Sequence, residues 1–406
     1  MRVLGIVCEY NPFHNGHAYQ MRKAREESGA DAVICVMSGH YTQRGEPAIV
    51  DKWTRTRMAI MGGADLVIEM PTFYAMSGAE SFAAAGIKLL LAAGADVLSF
   101  GCEAEETNVL YDLAVLLDQE PAAFRQELQR FLRAGESYSV SRMKAASQYI
   151  AQAEEILKQP GSILGIEYLK ALRRAGRGDF PVIMVRRLGA AHKDAWSDGA
   201  GASASAIRNA LRQGRILREA MPPSAAQTWE KIYESGAYCM GDILLKEILY
   251  WRLTEWTLDQ IRQTPEIGEG LEYRILKMTE EDRSWESLIE SLVCKRYPAS
   301  RIRRGLMNLC LGISQETRER ARWEEGPAYL RILGIGPRGT ELLRKIRRES
   351  SLPLVTQPHR QIKDLSESAA YTLAEEVRFT DIYARFLVNT DLRVRGWEYR
   401  KEIVKI

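Results

Sequence analysis

Three segments of the chain share one pattern of apolar and polar positions. They read "GADAVICVM" from Gly29, "GADLVIEM" from Gly63 and "GADVLSFG" from Gly94. In each, a glycine suited to ending a helix is followed by alanine and aspartate in a turn and then by a β-rich apolar run. They start 34 and 31 residues apart, which is the length of a β-α unit. The repetition predicts a parallel, helix-flanked sheet that begins at residues 3–10 and also includes an apolar run near residue 180.

The character of the chain changes near residue 220. Before it, helical spacing alternates with the strand-like runs; after it, helical segments such as "MGDILLKEILYWRL" and "RIRRGLMNLCLGI" follow one another with few strand-like runs between them. We therefore predict an α/β fold. Residues 1–220 form a parallel-sheet, Rossmann-like domain, and residues 221–406 form a mainly α-helical domain.

Composition narrows the class of protein. The 406 residues are 46% hydrophobic and 27% charged, which are ordinary globular values. No apolar run approaches the roughly 18 residues that a membrane-spanning helix needs. The six cysteines contain no C-x-x-C pair, which is typical of free thiols rather than of disulfides or a zinc site. We expect a soluble, cytoplasmic protein without a membrane partner.

Two histidines one helical turn apart, His14 and His17, follow the first predicted strand and flank Gly16. In open α/β sheets ligands bind at the carboxyl ends of strands, and the N-terminus of a helix binds phosphate. Imidazoles there can stabilise the charge that develops when an α-phosphate is attacked. The alternative is a turn in which the histidines only cap the helix. A metal site is not predicted, because helical ligand pairs usually lie four residues apart and no third ligand is evident.

A second candidate phosphate site is "ASASAIRNAL" at residues 202–211. Ser203 and Ser205 are suited to capping a helix that carries Arg208 in its first turns, and capping alone accounts for the serines. A helix N-terminus with hydroxyls and an arginine can also hold the β- and γ-phosphates opposite the histidines.

The motifs together resemble one family. "GIVCEYNPFHNGHAYQ", "MSGHYTQRGEPAIVDKWTRTRMA", "GADLVIEMP", "FGCE", "ILGIEYLKAL" and "ASASAIR" are similar to those of the bacterial tRNA(Met) cytidine acetate ligases, within the nucleotidylyl-transferase superfamily. The resemblance covers the N-terminal domain closely. It continues more loosely through "KRYPASRIRRGLMNLCLGI", "YLRILGIGPRG" and "TDIYAR".

The resemblance implies an ATP-dependent ligase that converts acetate into acetyl-adenylate and acetylates N4 of the wobble cytidine of elongator tRNA(Met). ATP, with Mg²⁺ inferred from its chemistry, acetate and this tRNA are the expected partners; the oligomeric state is left open. Catalytic roles would fall to His14, His17, Ser205 and Arg208. The implied ATP-binding residues are Val7, Cys8, Glu9, Tyr10, Asn11, Pro12, Phe13, His14, Asn15, Gly16, His17, Ala18, Tyr19, Gln20, Gly101, Ser162 and Arg187.

The chain departs from the family pattern at two places. Gly161 and Ser162 stand where the family usually has two asparagines, and "GAAHKD", with His192 and Lys193, replaces a G-A-x-Y-H-D motif. Ser162 keeps a hydroxyl, but the paired donor and acceptor of an amide are lost.

Two further segments are candidate substrate contacts. Gln43, Arg44 and Lys52 lie in a polar loop that would meet acetate or tRNA, with an ordinary surface loop as the alternative. The basic run near residue 300 is predicted to bind RNA, with phosphate contacts from arginine and lysine and stacking from tyrosine; the alternative is a solvated helix face. Its residues are Lys295, Arg296, Tyr297, Arg301, Arg303 and Arg304.

Two other functions remain open at this point. A nucleotidylyl transferase that acts on a small phosphorylated acceptor would explain both phosphate motifs but not the basic helical domain. The second alternative is a non-catalytic tRNA-binding paralogue. Its only support in the sequence is Gly161 and Ser162, which replace the two asparagines of the family.

Overall fold

The computed structural model describes residues 1–187 and 202–406, so His192 and Lys193 lie outside the described residues. The strands are β1 (Val3–Cys8), β2 (Ala32–Ser38), β3 (Leu66–Met70), β4 (Val97–Cys102), β5 (Val182–Arg186), β6 (Leu330–Ile335), β7 (Leu354–Val355) and β8 (Val404–Lys405).

Helices surround the sheet and form most of the C-terminal half. The first ten are α1 (Asn15–Ser28), α2 (Lys52–Met61), α3 (Thr72–Ala75), α4 (Ala79–Ala92), α5 (Thr107–Gln119), α6 (Ala122–Arg133), α7 (Tyr138–Ala146), α8 (Ala153–Ile156), α9 (Pro160–Arg174) and α10 (Ala204–Arg212). The others are α11 (Pro223–Ser235), α12 (Asp242–Glu255), α13 (Leu258–Arg262), α14 (Leu271–Met278), α15 (Trp285–Leu292), α16 (Ala299–Leu311), α17 (Gln315–Arg320), α18 (Gly339–Glu349), α19 (Pro358–Gln361), α20 (Glu367–Ala384) and α21 (Trp397–Arg400). Short 3₁₀ helices span Arg218–Ala220, Trp323–Glu325, Ile362–Asp364 and Thr390–Leu392.

The sheet has the strand order β5-β4-β1-β2-β3-β6-β7, with β8 paired to β6. Strands β1 to β5 are all parallel to one another, which confirms the parallel sheet predicted from the repeated apolar runs. Because the chain order reverses on either side of β1, a crevice is expected at the carboxyl ends of β1 and β4. The candidate nucleotide residues follow these two strands.

The aspartate of each repeated segment ties one strand to the next. Asp65 Oδ2 accepts a hydrogen bond from the backbone N–H of Val33 at 2.9 Å, and Asp96 Oδ2 accepts one from Val3 at 2.8 Å. Asp31 Oδ2 does the same for Arg2 at 2.7 Å. These carboxylates satisfy N–H groups where the strands begin, before the sheet ladder takes over. The repetition in sequence is therefore a repeated way of starting a strand.

The C-terminal half also contributes to the sheet. Strand β6 pairs antiparallel with β3, with Leu66 opposite Ile335 and Glu69 opposite Arg331. This pairing satisfies the backbone groups of β3, which would otherwise be an exposed edge. A continuous cluster of buried apolar side chains runs from Val3 to Val404 and includes both halves of the chain. The mainly helical character of the second half is confirmed, and the boundary at residue 220 stays a prediction.

A buried group of charged side chains joins the two halves. Lys52 Nζ contacts Glu69 Oε1 at 2.6 Å and also pairs with Glu398, which in turn lies 3.3 Å from Arg331 Nη2. All four side chains are almost fully buried, so each charge depends on its partners. Lys52 is therefore committed to this network, and the expectation that it contacts acetate or tRNA is wrong.

None of the helices in the described parts of the chain is long and apolar enough to cross a membrane.

Candidate active site

The first motif forms the turn between β1 and α1. Tyr10 adopts φ of 47°, in the left-handed region that residues other than glycine rarely occupy, and α1 begins with His14 as its N-cap. The N–H of Gly16 donates to His14 Nδ1 at 3.0 Å, and the N–H of His14 donates to His17 Nδ1 at 3.3 Å. The two histidines therefore form a reciprocal capping box, as the capping alternative predicted.

Capping fixes the tautomer of both rings. Because Nδ1 of His14 and of His17 accepts a backbone N–H, each neutral ring carries its proton on Nε2. Burial, followed by the charge of Arg187, lowers the pKa of His14 to about 4. Burial, His14 and Arg187 also hold the pKa of His17 well below its ordinary value. The rings stack with centroids 3.7 Å apart, so the turn holds two neutral Nε2–H donors side by side.

Glycine is required between the histidines. A Cβ at Gly16 would lie 2.9 Å from Cε1 of His14, closer than real Cβ contacts come. A side chain there would displace the ring that caps the helix. The glycine thus preserves the imidazole position.

The rest of the Val7–Gln20 segment is held firmly in place. Tyr10 and Phe13 are buried with their rings edge to face at a centroid distance of 4.9 Å. Asn11 Oδ1 accepts the N–H of Ile49 at 2.8 Å, and Asn15 Nδ2 donates to the carbonyl oxygen of Glu219 at 2.7 Å. These contacts stiffen the turn that carries the histidines.

The carboxyl ends of β4 and β5 bring Gly101 and Arg187 together. A Cβ at Gly101 would lie 3.0 Å from Arg187 Nε and 3.6 Å from Gln20 Oε1. Arg187 Nη1 also pairs with Glu103 Oε1 at 3.3 Å. Together with its effect on the pKa of both histidines, this places Arg187 beside the first motif, as the sequence analysis expected.

Glu103 is a residue that the sequence analysis did not select. Its carboxylate accepts the N–H groups of Gly161 at 3.3 Å and Ser162 at 2.9 Å, at the N-terminus of α9. Ser162 Oγ lies 3.3 Å from Glu103 Oε2 and 2.8 Å from Gln159 Oε1. The position of this glutamate directly after β4, in "FGCE", was the available signal, because ligands meet that edge of the sheet.

The second motif reaches the first through Arg208. Arg208 Nη1 donates to the carbonyl oxygen of Asn11 at 2.9 Å, and Nη2 lies 3.3 Å from Ser205 Oγ and 3.6 Å from Glu46 Oε2. Ser203 is the N-cap of α10 and accepts the N–H of Ala206 at 3.2 Å. The predicted pairing of the motifs is thus present in the structure, and Glu46 is a further partner that sequence reasoning missed.

Glu9 lies at the same edge of the sheet. Its Oε1 accepts the backbone N–H of Gln43 at 2.6 Å. Burial raises the pKa of its carboxyl, while the Gln43 hydrogen bond and the charge of Arg44 oppose that rise. An acidic group thus stands among the cationic ones.

The residues predicted to bind RNA lie on α16 and just before it. Tyr297 and Arg304 are buried: the hydroxyl of Tyr297 donates to the carbonyl oxygen of Glu269 at 2.5 Å, and Arg304 Nε pairs with Glu266 at 2.9 Å. Lys295 and Arg296 are exposed and Arg301 and Arg303 are half-buried, so these four residues form the basic face that solvent reaches. The RNA contact of this face stays a prediction.

Comparison with known proteins identifies the family. The model of the family "HIGH Nucleotidyl Transferase" matches residues 1–395. A tRNA(Met) cytidine acetate ligase of Acetivibrio thermocellus is 36% identical over 418 aligned positions, covering 100% of both chains. The chain belongs to the tRNA(Met) cytidine acetate ligase family. A ligase of the same name from Halothermothrix orenii is 35% identical over 95% of this chain and 94% of its own.

Solved structures agree with this assignment to the ligase family. Thermotoga maritima TmcAL bound with alpha-thio ATP superposes with a TM-score of 0.90 at 29% identity, covering 100% of this chain and 99% of that one. Its apo form also gives 0.90, at 30% identity and full coverage of both chains. The Rossmann-like fold and the membership predicted from the motifs are confirmed.

Proposed function

We propose that this protein is an ATP-dependent tRNA(Met) cytidine acetate ligase that forms N4-acetylcytidine at the wobble position of elongator tRNA(Met). One observation carries the proposal. The histidine turn after β1 and the serine-arginine helix α10 meet at the carboxyl edge of the sheet, where Arg208 contacts Asn11. That juxtaposition supports nucleotide chemistry there, and the full-length likeness to relatives of this name supports the acceptor.

In the first step an acetate oxygen attacks the α-phosphorus of ATP, an O–P bond forms, and the bond to pyrophosphate breaks. Negative charge grows on the phosphoryl oxygens and on the leaving group. The Nε2–H groups of His14 and His17 stabilise the α-phosphoryl oxygens, and Ser205 and Arg208 hold the pyrophosphate. Neutral imidazoles can donate these hydrogen bonds without first losing a proton.

In the second step N4 of cytidine attacks the acetyl carbonyl, a C–N bond forms, and AMP leaves as N4 gives up a proton. The lone pair of N4 is delocalised into the ring, so the amine is a poor nucleophile and free acetate is not an electrophile. The mixed anhydride with AMP overcomes both problems. No covalent bond to a cysteine or serine of the enzyme is needed.

We assign the binding of ATP to the segment Val7–Gln20 with Gly101, Ser162 and Arg187. The position of Arg187 against Gly101 and beside the histidines supports its proposed contact with phosphate. Mg²⁺ is proposed to arrive bound to the triphosphate. Among residues 1–187 and 202–406 no group of three or more His, Cys, Asp or Glu side chains is arranged to hold a metal ion.

Exchange of labelled pyrophosphate into ATP, measured without tRNA, tests the first step. We expect exchange that depends on acetate and that falls about 10²-fold or more in His17→Ala, as for loss of a donor to a developing charge. Exchange that ignores acetate but responds to a small phosphorylated compound would support the alternative nucleotidylyl transferase. Absence of both kinds of exchange would support the non-catalytic paralogue.

A further inference from the structure

A tight hairpin at Tyr41–Pro47 connects the nucleotide site to α16. Tyr41 and Pro47 pair antiparallel, and the N–H of Thr42 donates to the carbonyl oxygen of Glu46 at 2.9 Å. The turn closes at Gly45, whose φ of 75° favours glycine and whose N–H donates to the carbonyl oxygen of Thr42 at 3.0 Å. We call residues 41–47 the bridging hairpin.

One side of the bridging hairpin is fixed to the nucleotide site. The N–H of Gln43 donates to Glu9 Oε1 at 2.6 Å, and its side-chain Nε2 donates to the carbonyl oxygen of Ser77 at 3.2 Å. Glu46 pairs with Arg208 at 3.6 Å. The hairpin therefore contacts both Glu9, which directly follows β1, and the arginine of the second motif.

The other side is fixed to α16. Arg304 Nη1 donates to the carbonyl oxygen of Gln43 at 3.4 Å. A Cβ at Gly45 would lie 2.4 Å from the backbone nitrogen of Arg304 and 2.5 Å from the carbonyl carbon of Arg303, so the hairpin is in direct backbone contact with the helix. Anchored on both sides, the hairpin holds its tip at a set position.

Arg44 forms that tip and is exposed. The neighbouring Gln43 donates its backbone N–H to Glu9 at 2.6 Å, and the charge of Arg44 acts on Glu9 and on Arg208, so Arg44 lies beside the proposed nucleotide site. Arg212, in the last turn of α10, is exposed as well and also acts on Arg208. In the parts of the chain that the structure describes, no carboxylate oxygen lies within 4.0 Å of a guanidinium nitrogen of either arginine, so neither forms an ion pair.

The arginines of the α16 region differ in this respect. Arg296 and Arg301 pair with Glu269 at 3.6 and 3.1 Å, and Arg303 pairs with Glu286 at 2.5 Å. Each of these must give up a glutamate, or share it, before it meets a phosphate. Arg44 and Arg212 need no such exchange, and guanidinium groups are well suited to phosphate oxygens.

We propose that Arg44 and Arg212 bind the phosphodiester backbone of RNA beside the reacting cytidine, and that the bridging hairpin sets the distance between RNA and adenylate. This inference rests on the proposed function. The hairpin contacts α16 on one side and Glu9 and Arg208 on the other, so an RNA strand bound to both regions would run along it, which favours RNA over the triphosphate as the occupant. Arg208 and Arg187 already serve the nucleotide.

Two measurements on Arg44→Ala, Arg212→Ala and the double variant test the inference. The first is the salt dependence of elongator tRNA(Met) binding, followed by fluorescence anisotropy; the second is acetate-dependent pyrophosphate exchange without tRNA. Arg177→Ala is the control. Arg177 is exposed and precedes β5, so it lies at the amino ends of the strands, whereas the proposed site lies at their carboxyl ends. Arg44→Lys, which keeps the charge without the planar fork, tests whether guanidinium geometry matters.

We expect the double variant to bind tRNA roughly tenfold or more weakly, with a salt slope shallower by about 0.7 to 0.9 for each lost phosphate contact. Exchange stays near the wild-type rate. Binding and slope equal to those of Arg177→Ala would overturn the inference. So would loss of exchange with unchanged tRNA binding, since the arginines would then serve the triphosphate. If the proposed function itself is wrong, the wild-type protein will transfer no acetyl group to tRNA, and this result is distinct from the two outcomes above.

Discussion

Arg208 donates a hydrogen bond from Nη1 to the backbone carbonyl oxygen of Asn11 at 2.9 Å, across 197 positions of the sequence. The same guanidinium contacts Ser205 Oγ. A buried arginine of α10 thus holds this helix against the turn that follows β1. The contact brings the two candidate phosphate motifs together at the carboxyl ends of the strands.

Substitution of Arg208 by alanine or lysine distinguishes the effect of its charge from the effect of its planar guanidinium group. Lysine keeps the charge but has no planar fork to serve Asn11 and Ser205 together. We expect Arg208→Ala to slow acetate-dependent pyrophosphate exchange by about 10²- to 10³-fold and Arg208→Lys to recover only part of this loss. Exchange in either variant within twofold of Arg177→Ala would argue against a phosphate role for Arg208.

His14 caps α1 through Nδ1 and is proposed to contact the α-phosphate through Nε2, and substitutions can distinguish these two roles. Asparagine places an acceptor near Nδ1 and is a good N-cap, whereas glutamine places an amide donor near Nε2. We expect His14→Asn to keep the thermal stability of the wild type but lose exchange. His14→Gln should lose about 1 kcal/mol of helix capping and keep more of the exchange activity. The reverse order of the two variants in both assays would show that the tautomer assignment is wrong.

Glu376 makes stability depend on pH. Its carboxyl accepts the N–H of Thr72 at 2.5 Å, and burial followed by the nearby charge of Glu69 raises its pKa to about 8. The folded protein therefore keeps a proton that the unfolded chain releases above its ordinary pKa of 4.5. This contribution to stability is complete below pH 4.5 and is lost as the pH rises towards and through 8.

Urea denaturation of the wild type and of Glu376→Gln at pH 5 to 9 measures this effect. Glutamine imitates the protonated acid and does not titrate. As the pH rises, the free energy of unfolding should therefore fall more in the wild type than in the variant. Parallel pH profiles for the two proteins would mean that Glu376 is ionised in the fold.

Gly161 and Glu103 form a coupled pair. A Cβ at Gly161 would lie 2.6 Å from Glu103 Oε2, so a side chain there must push the carboxylate off the N-terminus of α9. We expect Gly161→Ala to be destabilising in the wild-type background and much less so in Glu103→Ala. A double-mutant cycle by thermal unfolding should give a coupling energy of about 0.5 to 3 kcal/mol. Additive effects would contradict the contact.

The sequence predicted those parts of the fold that neighbouring residues determine, such as turns, helix caps and apolar strands. The repeated glycine-alanine-aspartate turns marked β2, β3 and β4, and the histidine turn was placed correctly after β1. Contacts between distant residues left no local signal. Lys52 was predicted to contact substrate because its partner Glu398 is 346 positions away, and Arg304 was predicted to contact RNA because its partner Glu266 is 38 positions away, in the loop between α13 and α14.

The contacts of the candidate site were predicted in the same uneven way. His14, His17 and Arg208 were found because each stands at the start of a helix with a recognisable cap. Glu103 and Glu46 were missed because a single glutamate in a loop has many ordinary explanations. Their importance follows only from what they touch, which is Ser162 in one case and Arg208 in the other.

The most direct test of the account is mass spectrometry of nucleosides from unmodified elongator tRNA(Met) incubated with the purified protein, ATP and acetate. We predict that N4-acetylcytidine forms at the wobble position only when protein, ATP, acetate and tRNA are all present, and that His17→Ala abolishes it. An unmodified wobble cytidine in the complete reaction, with acetate-dependent exchange intact, would contradict tRNA(Met) cytidine as the acceptor.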